Sequence, residues 1–222
     1  MCCPETDPWP GDAQVAQGDI PKLVATFNSG WKMSDACGGF YLTGRSAGQL
    51  RAGQRSLVID DTGAATVGQW ARDVSMNPHL VAVRQNLALI VDHGQPVDGL
   101  AANSGQRWGS YENQHQYTWR SGVGVDAAGD LIYVAGAKLT LPTLALALVD
   151  AGVLQAMELG HPLSFGLVRL MDAFGARPRC AYQAPTRDGT ACRLVPVRRP
   201  ARLLLPHPGM TLVPERPCVP AT

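Results

Sequence analysis

Several absences narrow the function before any motif is read. The longest apolar stretch, Leu139–Val149, is too short to span a bilayer and contains Pro142, so no transmembrane segment is expected. Met1-Cys2-Cys3-Pro4 lacks the basic and apolar regions of a secretory signal, and localisation stays unknown from the residues alone. No phosphate loop, dinucleotide glycine fingerprint, internal repeat or hydrolase nucleophile elbow is present, and no cofactor is expected. The six cysteines (Cys2, Cys3, Cys37, Cys180, Cys192, Cys218) have no zinc-like spacing, and a chain this long does not need a disulfide framework. Cys37 lies in a Gly-rich turn with no nearby His to activate it, so it reads as structural. His79, His93, His115, His161 and His207 form no ligand pattern, and no clustered acidic loop resembles a calcium site, so no metal-ligating residue is assigned and the residues do not settle metal use. A net charge of +1 argues against nucleic acid as a partner.

What is present divides unevenly. With 222 residues and 45% apolar composition the chain can build a real core. Residues 1–159 carry an excess of acids, whereas 160–222 hold nine Arg, no Lys, three acids and ten of the 17 prolines. Proline at this density removes backbone donors, so the reading is an irregular segment over 1–20, an ordered domain over 21–159 and a poorly ordered, divergent tail over 160–222.

Within the domain, Lys22–Asn28 reads as a buried strand ending at a Gly turn. Tyr41–Thr43 and Ser56–Asp60 are short strands, and Thr66–Trp70 returns from the second across Asp61-Thr62-Gly63. Leu80–Arg84 and Leu87–Asp92 flank Gln85-Asn86, and Tyr117–Val125 and Leu131–Ala135 bracket the turn at Asp126-Ala127-Ala128-Gly129. One main helix follows over about 141–151, capped by Thr140, with Pro142 in its first turn and Gly152 as its stop. It is apolar on most faces and therefore buried against a sheet. Val153–Leu159 then returns as a strand. The fold class is α+β, with a mixed or largely antiparallel sheet and this one main buried helix.

Three polar blocks stand out. Asn28 precedes Ser29-Gly30 at a strand end, where its amide can hold a ligand oxygen or close an Asx turn. Arg84-Gln85-Asn86 interrupts an apolar region; buried polar groups there must line a wet cleft or pair internally, and Asp60, Asp73 and Asp92 are available to Arg84. Arg120 opens Ser121-Gly122-Val123-Gly124, where small residues let a ligand approach the backbone, unless this is a Gly-containing edge strand with a surface Arg. Together they favour an anionic or polyhydroxylated ligand over a core role.

Read in order, Phe27-Asn28-Ser29-Gly30, Gly38-Gly39-Phe40-Tyr41, Ser56-Leu57-Val58-Ile59-Asp60, Gly68-Gln69-Trp70, Val83-Arg84-Gln85-Asn86, Arg120-Ser121-Gly122-Val123-Gly124 and Ala156-Met157-Glu158-Leu159 resemble the phosphodiester glycosidase family, a bacterial exopolysaccharide-associated domain. The resemblance covers about residues 10–159. It implies cleavage of a sugar–phosphate diester at the glycosidic C–O bond, giving free sugar and a phosphomonoester, in a family that is typically extracytoplasmic. It also implies Asn28, Arg84 and Arg120 as catalytic positions, with Gly30, Gln85, Asn86, Ser121 and Gly122 lining the substrate.

The resemblance stops at Leu159-Gly160. There the family continues with an Asp, while this chain has Gly160-His161-Pro162. Strand periodicity puts residues 158 and 160 on one face, so Glu158 is the remaining candidate carboxylate, about 6–7 Å back along the strand. The codons GGA-CAT-CCN read one base later give Asp-Ile, which makes a reading-frame change an expectation that sequencing the gene would test. Three readings remain: a phosphodiester glycosidase, a non-catalytic module binding anionic glycans, and a truncated product whose exposed sheet edges make it poorly soluble.

Overall fold

Aspartate-and-glycine turns set two of the hairpins. Asp60 Oδ1 accepts from the Thr62 and Ala64 amides at 3.0 and 2.9 Å, and Asp126 Oδ1 accepts from those of Ala128 and Asp130, both at 2.9 Å. Each carboxylate thereby satisfies the donors that a tight reversal leaves over. The structure is a computed structural model, and it describes residues 25–27, 30–110, 117–160, 169–170, 183–185 and 191–197. In chain order the elements are β1 (Ala25–Thr26), the single turn α1 (Met33–Ala36), β2 (Phe40–Leu42), β3 (Arg45–Ala47), β4 (Arg55–Asp60), β5 (Ala65–Gln69), β6 (Leu80–Asn86), β7 (Leu89–Asp92), β8 (Gln95–Pro96), β9 (Thr118–Asp126), β10 (Leu131–Leu139), α2 (Leu141–Asp150), β11 (Val153–Gly160), β12 (Arg169–Leu170), β13 (Gln183–Pro185) and β14 (Ala191–Val197). A 3-10 turn lies at Ser104–Gln106.

The strands form a seven-stranded sheet ordered β13-β14-β10-β9-β11-β7-β8, a five-stranded sheet ordered β3-β2-β6-β4-β5, and the small pair β1-β12. Every strand pairing among the described residues is antiparallel. With one main helix, this is the expected α+β fold with an antiparallel sheet.

Helix α2 starts where its sequence says it should. Thr140 Oγ1 accepts from the Thr143 amide at 3.2 Å, Pro142 sits in the first turn, and Gly152 leaves the helix at φ +84°. The helix buries Leu141, Leu144, Ala145 and Leu148 and leaves Leu146 exposed. It connects β10 to β11 across the strand between them, so β11 enters the sheet next to β9 rather than β10.

Strand alternation then sorts the core into layers. Ile132, Val134, Val153 and Ala156 face α2. Leu57, Val67, Val123, Tyr133 and Met157 fill the space between the two large sheets. Val58, Trp70, Leu80 and Val83 form the outer face of the five-stranded sheet. Gly122 belongs to the first layer: a Cβ there would stand 3.0 Å from Leu148 Cδ1 and 3.2 Å from the Met157 carbonyl, so the helix packs closely over this glycine.

In the stretch read as a poorly ordered tail, the described residues 183–185 and 191–197 form β13 and β14, and β14 pairs with β10 from Leu131–Val197 to Gly136–Cys192. Among the described residues β13 pairs only with Ala191–Arg193, so at Pro196 β10 is the one strand neighbour of β14, an edge position of the kind where proline is found. Cys37 is disulfide-bonded, which cysteine spacing did not reveal because connectivity is set by the tertiary fold. Of the strand expected over Lys22–Asn28, residues 25–26 form β1, while Asn28 lies outside the described residues.

Candidate functional site

The site region is set by a bend. β6 ends at Asn86 in the five-stranded sheet, and three residues later the chain begins β7 in the seven-stranded sheet, beside β11. The last residues of β6 therefore lie along the C-terminal end of β11. The first residues of β9 flank that end on its other side, with Glu158 opposite Gly122 and Gly160 opposite Ser121.

Asn86 ties these parts together. Its Nδ2 donates to the Glu158 carbonyl at 3.0 Å, and its Oδ1 accepts from the Trp31 amide at 3.4 Å. Gly30 has φ +117°, and a Cβ on it would collide with the Asn86 amide. Glycine is therefore required at position 30 by both backbone conformation and space.

Arg84 is two residues before Asn86 on the same face, opposite Leu57 of the inter-sheet core. It is 4% exposed. Its Nη2 donates to the Trp31 carbonyl, while Nε and Nη1 are buried without a hydrogen-bond partner among the described residues. Burial pushes the guanidinium down to about 10, so it stays charged at neutral pH. The three acids that could have paired with it are engaged elsewhere. Asp60 closes its own turn, and Asp73 and Asp92 both bind Arg72 at 2.8 Å.

Arg120 has a different environment. By alternation it faces α2, away from Arg84, and it donates through Nη1 to Glu158 Oε1 at 2.7 Å and through Nε to the Leu139 carbonyl at 3.0 Å. Both side chains of this ion pair are 0% exposed. The Glu158 carboxylate thus lies under the helix, and a register shift between Glu158 and Gly160 interrupts the simple periodicity that relates them.

The remaining candidates divide by face. Gln85 points to the outer side, where Oε1 accepts from the Gly39 and Arg51 amides at 3.1 and 2.8 Å and Nε2 donates to the Arg51 carbonyl and Ser56 Oγ at 3.0 and 3.3 Å. All four of its hydrogen-bonding positions are filled, and it stitches loops to β6. Gly122 accommodates α2, as described above. Ser121 is buried on the inter-sheet face beside Tyr133, whose hydroxyl is buried with no well-formed hydrogen bond among the described residues. Burial raises that phenol to about 12. Phe27 packs against the Tyr133 ring at 5.2 Å between centroids.

Thus Arg84, Asn86, Gly30 and Ser121 converge on the inter-sheet side of the β11 end, whereas Arg120 and Glu158 form a closed pair behind it. Sequence reasoning missed Arg55, which stands opposite Asn86 on the Arg84 side with its Nε also buried and unpartnered among the described residues. Its guanidinium is lowered by burial first and by Arg107 and Arg72 next. No local pattern marks it, because only the β4–β6 register brings it there.

No family model and no curated protein sequence matches the chain. Among solved structures it is similar to the zebrafish N-acetylglucosamine-1-phosphodiester alpha-N-acetylglucosaminidase (NAGPA) catalytic domain auto-inhibited by pro-peptide, at 16% identity and a TM-score of 0.48, covering 81% of this chain and 64% of that one. It is also similar to a hypothetical protein from Synechocystis, at 15% identity and a TM-score of 0.33, covering 81% of this chain and 46% of that one. The chain spans less than two-thirds of the length of either.

Proposed function

We propose that the chain is a phosphodiester-glycosidase-type hydrolase domain that takes a phosphorylated or anionic glycan at the C-terminal end of β11, with Arg84 holding the phosphodiester. The observation that carries this reading is the state of Arg84: a buried cation with two unpartnered guanidinium nitrogens and no carboxylate among the described residues to neutralise it. Such a group is costly in an apolar layer unless an anion completes it. Its planar fork suits two oxygens of a phosphate.

In this reading the glycosidic C–O bond breaks with its electron pair leaving on the phosphate oxygen, and water supplies the oxygen that bonds to the sugar carbon and loses a proton. Arg84 stabilises the charge that grows on the departing phosphate. A phosphate leaves more readily than an alcohol, so acid assistance matters less than in ordinary glycoside hydrolysis. By the resemblance Asn28 would supply a side-chain amide, while Ser121 would supply a hydroxyl and Gly30 with Asn86 the rim. Arg120 and Glu158 would act as a unit that fixes the ends of β9 and β11, with Gln85 and Gly122 holding the surrounding backbone.

One observation favours the second reading, binding without turnover: the nearest family-like carboxylate, Glu158, is fully buried and engaged by Arg120. Incubation with an N-acetylglucosamine phosphodiester separates the two. Release of sugar and phosphomonoester, lost in Arg84→Met, supports the hydrolase. Binding without release, with release restored by Gly160→Asp, supports the binding module. Absence of both binding and release overturns the proposal.

A further inference from the structure

The bend between β6 and β7 carries a second group of charges. Arg55 begins β4, paired with Gln69 of β5 on one side and with Asn86 of β6 on the other. Two residues past Asn86, the Ala88 amide donates to the Arg107 carbonyl at 3.3 Å, and the Trp108 indole donates to the Leu89 carbonyl at 2.9 Å. Strand register thus sets Arg55 at the start of the bend, and the 107–108 backbone is strung along its end. Beyond β5, Arg72 binds Asp73 and Asp92, both at 2.8 Å, and the Gln155 amide donates to each of these carboxylates at 3.2 Å.

Arg72 therefore takes both acids, and the other two guanidiniums have no carboxylate among the described residues. Arg107 is exposed and lies over the fully buried Trp108 ring, 4.7 Å from its centroid, which fixes its guanidinium plane. Arg55 is half-buried. Its Nη1 donates to the Gly53 carbonyl, while its Nε is buried with no hydrogen-bond partner among the described residues. Burial is the first cause that lowers Arg55; Arg107 then acts on it more strongly than any other charge, Arg72 next, and Asp92 and Asp73 less. The Arg55 and Arg107 cations are thus close together and undercompensated. Arg84 is lowered by burial alone, so it stands apart from this group.

A buried donor without a partner and two neighbouring guanidiniums are both unfavourable until an anion joins them. The edge left open on Arg55 runs from Nε to Nη2, the side-on fork that receives both oxygens of a carboxylate. Three guanidiniums and two carboxylates leave one positive charge over, which a monoanion cancels. A dianion would bring a further negative charge up to Asp73 and Asp92, against their repulsion. We propose that Arg55 and Arg107 form a carboxylate-binding site at the β6–β7 bend, separate from the Arg84 site and holding one carboxylate group between the two guanidiniums. This site goes beyond the hydrolase reading and does not depend on it.

The test follows the arginine side-chain Nε–H signals of the full chain by proton–nitrogen NMR at fixed ionic strength, the Arg55 signal being assigned by its loss in Arg55→Lys. The probes are acetate, glucuronate and inorganic phosphate, with chloride as control. Acetate is expected to shift the Arg55 signal saturably beyond chloride, and phosphate to bind there more weakly. Arg107→Ala, which changes an exposed side chain, should weaken acetate roughly three- to fivefold, while Arg84→Met leaves the acetate response of Arg55 unchanged. Glucuronate tighter than acetate assigns the site to an acidic saccharide, and glucuronate no tighter assigns it to small carboxylates. A signal that acetate moves no further than chloride overturns the site, and so does an acetate affinity unchanged in Arg107→Ala. Tighter phosphate overturns the carboxylate class, and loss of the response in Arg84→Met overturns the separation of the two sites. The Arg84 reading is judged independently, by release of sugar and phosphomonoester.

Discussion

Arg84 and Arg120 lie on opposite sides of the β9–β11 region, both almost fully buried, and they are solved in opposite ways. Arg120 sits under α2 with a carboxylate at 2.7 Å and a carbonyl at 3.0 Å. Arg84 sits between the sheets with one carbonyl and no carboxylate among the described residues. The first arrangement is electrostatically closed and can serve architecture; the second is open and calls for an external anion. Two residues of the same type, each beside small or amide residues in the sequence, thus carry different roles because of what the fold places opposite them.

The contrast can be broken or sharpened experimentally. The largest effect is expected from Glu158→Ala, which takes the neutralising carboxylate from the buried Arg120 and should cost about 3–5 kcal/mol in urea unfolding. A loss below about 1 kcal/mol would mean that the Arg120 side is not closed. Next comes Asn86→Ala, which removes the bond to the Glu158 carbonyl and opens space above Gly30; about 1–3 kcal/mol is expected in the same assay.

A smaller effect concerns the exposed network at the other edge of the sheets. Arg72 lowers Asp73 by a direct hydrogen bond; at Asp92 burial pulls upward, but the Arg72 and Gln155 hydrogen bonds outweigh it and the net direction is down. Depressed carboxylates contribute stability that is present above their unfolded value near 4 and is lost as pH falls through the lower folded values. Asp92→Asn should therefore flatten the stability–pH curve below about pH 4, by about 1 kcal/mol or less because the network is partly in water. The smallest stability change is expected for Arg84→Met, within about 1 kcal/mol of the parent and in either direction, while inorganic phosphate binding disappears. A destabilisation as large as that of Glu158→Ala would show that Arg84 is architectural too.

Some of this was legible locally. Thr140, Pro142 and Gly152 delimit α2 because capping and helix termination depend on neighbours within one turn. Asp60 and Asp126 mark their hairpins for the same reason. The site was legible in part: Arg84 and Asn86 stand out because polar groups inside an apolar run need an explanation. The purpose of Gln85 was not, since its partners Gly39, Arg51 and Ser56 are 29 to 46 residues away. Nor was that of Gly122, which reads as room for a ligand until α2 is seen to occupy it.

By itself the sequence determined the main strands and helix α2, where the turns between them fall, and that residues 120 and 121 must face opposite ways, because these follow from backbone sterics and a side-chain period of two. Only the tertiary structure decided that β11 inserts beside β9, that the helix covers the Arg120 face, and that Glu158 is consumed there while Arg84 is left open. Pairing and layer order depend on contacts between residues far apart in the chain, and no local pattern encodes which charge will meet which.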